Sequence, residues 1–122
     1  ELHRGHMSNP LEALQRLGGR ELAACVGAII AARHQGIPVI LDGFATAVAA
    51  GVIHAIDPRG IDHVIAGQET DRPAHKALLE RLDLEPLLSL QLQLGEGVGG
   101  VLALPLLKAA CVIANHEASS QE

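Results

Sequence analysis

Ile37-Pro38-Val39-Ile40-Leu41-Asp42-Gly43-Phe44 is the stretch on which the fold turns. A short, continuous apolar run with β-branched residues suits a strand buried on both faces, as in a parallel sheet. Asp42-Gly43 closes the run, and Phe44 to Ile56 reads as a helix. Upstream, Gly36 ends an Ala-rich helix from Arg20 to Gln35, with Leu22, Cys25, Val26, Ile29 and Ile30 on one stripe. Helix, strand, helix is the order of an α/β chain.

The flanks extend that order. Ser8-Asn9-Pro10 has the form of a helix entry; Leu11, Leu14 and Leu17 follow at helical spacing, and Gly18-Gly19 stops the helix. After the turn Asp57-Pro58-Arg59-Gly60, Ile61 to Ala66 predicts a second strand, Gly67 to Arg72 a polar loop, and Pro73 to about Leu82 a helix. Leu88, Leu90, Leu92 and Leu94 alternate with Ser89, Gln91 and Gln93, which predicts a third strand there. Leu94-Gly95-Glu96-Gly97-Val98-Gly99-Gly100 then makes a tight turn into a helix from Val101 to Ala114, interrupted only by Pro105. The expected fold is three-layer, Rossmann-like α/β, with a short and largely parallel sheet of about three strands, right-handed crossovers and flanking helices. Residues 8–122 read as one domain. Glu1 to Met7 lacks periodicity and reads as a tag or flexible leader, Gly5-His6-Met7 having the look of a cloning scar or a polar linker.

Composition narrows the function classes. Hydrophobic content is 48%, yet Phe44 is the single aromatic of the Phe, Trp and Tyr types. The core must therefore be Ala, Leu, Ile and Val, and the aromatic platforms that stack single-stranded nucleic acid are missing. A net charge of −5 disfavours polyanion binding, so no nucleic-acid partner is expected. Cys25 and Cys111 lie in apolar helical patterns and read as two buried thiols in a reducing compartment. With no CxxC or HExxH motif and seven scattered histidines, neither a metal nor a cofactor is expected. Gly, Pro and charge break the apolar runs short of the roughly 20 residues of a membrane span, so no membrane partner is expected and the chain reads as cytoplasmic.

In open parallel sheets, ligands collect beyond the C-terminal ends of the strands. Three loops qualify: Asp42-Gly43-Phe44, Gly67 to Arg72, and Gly95 to Gly100. Glu96, with glycines on both sides, is the foremost candidate for a general base or ligand-binding acid. Asp42 more commonly caps the helix that follows it, His75 reads as a surface or capping histidine, and Lys108 snorkels to solvent. The glycine cluster is no Walker motif, because no Gly-Lys-Ser/Thr follows.

Gly18-Gly19, Pro38-Val39-Ile40-Leu41-Asp42-Gly43-Phe44, Pro73-Ala74-His75 with Ala77-Leu78-Leu79, Leu84-Glu85-Pro86-Leu87-Leu88, and Leu94-Gly95-Glu96-Gly97 through Ala103-Leu104-Pro105-Leu106 occur in order. That succession resembles the C-terminal part of the nicotinate-nucleotide–dimethylbenzimidazole phosphoribosyltransferase family, over nearly all of the chain after Ser8. The resemblance implies transfer of phosphoribose from nicotinate mononucleotide to dimethylbenzimidazole, giving α-ribazole 5′-phosphate in cobalamin lower-ligand synthesis. It implies that Glu96 is the catalytic base, and that Asp42, Gly43, Phe44, His75, Leu94, Gly95, Gly97 and Gly99 line the substrate site. The missing two-thirds of the family's length further implies a homodimer or a complementary chain. Four positions depart from the family pattern: Val98 for a usual Thr, Gln93 for Arg, Gln68 for His, and Ala74 for Gly. These departures favour an alternative, a non-catalytic member that binds a nucleotide or a partner protein; an unrelated α/β domain with a structural glycine turn is a third reading.

Overall fold

A computed structural model describes residues 4–90, 92 and 96–119. The chain enters through a 3-10 turn at Arg4–His6 and helix α1 (Pro10–Ala13). Asn9 caps α1, its side-chain oxygen accepting from the Leu11 and Glu12 amides at 3.0 and 3.4 Å. A π-helical turn, Leu14–Gly18, leads into α2 (Gly19–His34). Gly19, at φ +71°, and Gly36, at φ +67°, take the left-handed conformations that bracket α2 and that glycine adopts without strain. There follow β1 (Val39–Leu41), α3 (Phe44–Ile56), a 3-10 turn (Pro58–Ile61), β2 (Val64–Gln68), α4 (Pro73–Arg81), β3 (Pro86–Leu88) and α5 (Val98–Ser119).

The three strands form one parallel sheet in the order β1-β2-β3. Val39 pairs with Val64 and Leu41 with Ala66; Ala66 pairs in turn with Pro86, and Gln68 with Leu88. Proline lacks the N–H of a ladder donor, and Pro86 stands where that is tolerated, at the first residue of an edge strand. α2 packs on α3, α3 on α4, and α5 lies along the sheet. The core is aliphatic as expected: Ala47, Ala49 and Ala50 of α3 have no exposure, and Leu41, Ala66 and Leu79 have 2% or less. Small residues also bring α5 onto the strands, for Ala103 has no exposure and faces Gly67 of β2.

The structure corrects several expectations. β2 begins later than Ile61 and runs through Gly67 and Gln68, because Pro58–Ile61 is taken up by a 3-10 turn. The third described strand is Pro86–Leu88, and of the alternation after it Ser89, Leu90 and Leu92 are not in a strand. β3 ends at Leu88 because its partner β2 ends opposite, at Gln68; Gln91, Gln93 and Leu94 lie outside the described residues. α5 starts at Val98 and runs unbroken through Pro105, so the apolar segment is longer than its composition suggested. Val98–His116 is, by length and composition, one helix apolar enough to cross a membrane, with a mean hydropathy of 1.8. Nor are the two free thiols buried: Cys25 is half-buried and Cys111 exposed.

Gly67 is the position where a single methyl would tell most. A Cβ there would stand 2.8 Å from the Leu41 carbonyl oxygen and 2.8 Å from the Ile40 Cγ2. A backbone oxygen cannot swing aside as a side chain can, so the β1–β2 pair must shift. Gly67→Ala is expected to cost about 1–3 kcal/mol of stability, read from urea unfolding; an unchanged midpoint would show that the sheet gives way freely.

Candidate functional site

The C-terminal ends of β1 and β2 meet the start of α5. Asp42, the residue after β1, does not cap α3. That task falls to Gly43 and Thr46: the Gly43 amide donates to Thr46 Oγ1 at 3.2 Å, and the Thr46 hydroxyl donates to the Gly43 carbonyl at 2.9 Å. Asp42 is thereby free to cap a different helix. Its Oδ2 accepts from the Gly97 amide at 2.9 Å, and its Oδ1 accepts from the Gly100 amide at 3.0 Å. Gly97 flanks the start of α5 and Gly100 lies in its first turn, and the amides there have no helical acceptor. A carboxylate at the positive end of the helix dipole gains a further few tenths to 1 kcal/mol.

Glu96 stands immediately before this clamp. It adopts φ +61°, followed by Gly97 at φ +89°. For a residue with a side chain, the left-handed conformation costs about 1–2 kcal/mol, so the bonds to Asp42 hold a turn that the backbone alone disfavours. The Glu96 side chain is exposed at the mouth of this turn. Gly99 is required for another reason: a Cβ there would collide with the side chain of Gln68, which is only 1% exposed at the end of β2.

His75 lies on the first turn of α4 and is 1% exposed, which corrects its reading as a surface histidine. The Thr70 amide donates to His75 Nδ1 at 3.2 Å, and the Thr70 hydroxyl lies 2.9 Å from the same nitrogen. An Nδ1 that accepts from a backbone amide carries no proton, so the neutral ring has its proton on Nε2. Burial lowers the imidazole pKa below its ordinary value, against the opposing charges of Glu69 and Asp42. Phe44 packs edge-on, its ring centroid 6.2 Å from that of His75. Beyond Thr70, a polar hollow opens between Glu69, Asp71, Arg72, Lys76 and Ser89 at the ends of β2 and β3.

Of the residues expected to form the site, Asp42, Gly43, Phe44, His75, Glu96, Gly97 and Gly99 gather at this one edge. Leu94 and Gly95 lie outside the described residues. Lys108 is exposed on α5, as expected. Thr70 was missed, and no local pattern marks it, since its role depends on a histidine five residues along the chain. Among the described residues, no three His, Cys, Asp or Glu side chains cluster to hold a metal ion.

The His75–Thr70 pair sets a pH dependence. The folded-state pKa is lowered, so the unfolded chain binds the proton more readily, and the pair's stabilisation is complete only above the unfolded value near 6.5. It is lost progressively as pH falls below that value. His75→Gln keeps an acceptor for the Thr70 amide and removes the titration. Urea unfolding between pH 5 and 8 is expected to show a shallower acid decline in the variant; parallel curves would remove His75 as the cause.

The whole chain, residues 1–122, matches the family model described as "Phosphoribosyltransferase". The nicotinate-nucleotide–dimethylbenzimidazole phosphoribosyltransferase of Brucella anthropi is 50% identical over 111 residues, which are 91% of this chain and 33% of the relative. The enzyme of the same name from Methylocella silvestris is 52% identical over 109 residues, 89% of this chain and 32% of its own. The crystal structure of the Thermus thermophilus enzyme superposes with a TM-score of 0.79 at 44% identity, covering 84% of this chain and 31% of that one. The chain thus spans about a third of the length of the curated relatives it matches. With a family match along its full length, close relatives and a shared fold, the chain belongs to the phosphoribosyltransferase family.

Proposed function

We propose that this chain supplies the C-terminal third of a phosphoribosyltransferase that moves phosphoribose from nicotinate mononucleotide to dimethylbenzimidazole. The carrying observation is the Glu96 turn, clamped by Asp42 at the C-terminal edge of a parallel sheet. In the proposed reaction, a ring nitrogen of the benzimidazole attacks the ribose C1′. The bond from C1′ to the nicotinate nitrogen breaks, and nicotinate leaves with the electron pair. Glu96 takes the proton that the benzimidazole ring must lose, and the product is α-ribazole 5′-phosphate. A carboxylate suits this task because it accepts a proton and also favours the positive charge that develops on the base.

The reaction needs the remainder of the family's length, on the same chain or on a partner, in a cytoplasmic assembly. The apolar surface of α5 supports this. Val101, Leu104, Val112 and Ile113 are exposed, with Val101 and Val112 at 69% and 68%. The helix is about 33 Å long for its 22 residues, whereas the five residues of β2 cover only about 17 Å. An exposed apolar surface of this extent is what packing against the rest of the family's length would cover.

Two measurements test the reading. The isolated chain is expected to give no α-ribazole phosphate by chromatography, and addition of the preceding two-thirds of a relative is expected to restore turnover. In that assembly Glu96→Gln should lower kcat by about 100- to 10,000-fold with little change in KM; full turnover by the variant would remove Glu96 as the base.

A further inference from the structure

We propose that Asp42 is a positioning residue for Glu96 and not a ligand of the substrate; this rests on the reading of Glu96 as the base. Both oxygens of its carboxylate are engaged by the Gly97 and Gly100 amides, at 2.9 and 3.0 Å. The two amides lie on either side of Val98 and Gly99, so the carboxylate grips both ends of the first turn of α5. Gly97 is also the residue directly bonded to Glu96, so the peptide unit that carries the clamped N–H is the one that sets the direction of the Glu96 backbone. Glu96 and Gly97 both have positive φ, at 61° and 89°, a conformation the chain leaves when nothing holds it.

Three neighbours make the clamp specific to this carboxylate. Gly43 and Thr46 cap α3 by themselves, which releases Asp42 from its own helix. At Gly100 the Asp42 Cβ lies 4.0 Å from where a Cβ would stand, so the carboxylate sits directly against this turn. Gln68 against Gly99 seats the same turn from the side of β2. Asparagine cannot replace the aspartate, because one of its two side-chain atoms is a donor and would face an amide N–H. The N-terminal amides of α5 that Asp42 occupies are likewise closed to a substrate phosphate.

The decisive test is amide hydrogen exchange and NMR on this chain, read at Gly97 and Gly100. In the wild-type protein both amide shifts are expected to move together as the acid side chains are protonated, a readout that needs no variant. In Asp42→Asn both amides are expected to exchange at least tenfold faster while the Thr70 amide keeps its protection. In the assembled enzyme the same variant is expected to lose at least tenfold in kcat with KM for nicotinate mononucleotide within threefold, a split that general loss of structure does not produce. Wild-type amides that ignore the titration, unchanged exchange in Asp42→Asn, or a loss confined to KM overturns the proposal. If Glu96→Gln is as active as wild type, the general-base reading falls and takes the positioning role with it, although the amides still answer to Asp42.

Discussion

The turn that carries Glu96 depends on one carboxylate that belongs to one element by sequence and serves another by contact. Asp42 leaves β1 as an ordinary strand-end acid and arrives at α5 as its helix cap. Without it, the first turn of α5 would present unbonded amides and Glu96 would have no reason to hold a left-handed backbone. The parallel sheet creates the opportunity, since it delivers the ends of β1 and β2 to the same side.

The elements that were legible in the sequence are those specified by their own residues. Val39–Leu41 and Phe44–Ile56 stand where the apolar run and the Asp42-Gly43 break put them. Period-two patterning carries no information about where a partner strand stops, and the described pairing of β3 with β2 stops at Leu88 and Gln68. Gly99 and Gly100 disguised the start of α5. They read as turn residues, yet both are helical, and only at Gly99 does a neighbour, Gln68, leave no room for a side chain.

Which residues share this edge was legible in the sequence; the contacts they make there were not. Residue type and loop position pointed to Glu96, and only the family resemblance pointed to Asp42 and His75. What each of them does is decided by contacts that no local window contains. The cap that Asp42 makes lies across the fold, and the burial of His75 follows from the way Thr70 folds over it. Gln68, noted only as a departure from the family pattern, proves to be a packing residue filling the space that Gly99 leaves.

The two bonds from Asp42 also carry a cost in loop closure. They span 55 and 58 residues, against 34 for the bond between His63 and the Ile29 carbonyl. The three strands pair with near neighbours in sequence, so the sheet can form before α5 is in place. Contacts across long loops form only after their closure entropy has been met. Closing the Asp42–α5 contact therefore carries a larger loop-closure cost than pairing the strands, and the turn that holds Glu96 is the more weakly anchored part of this edge.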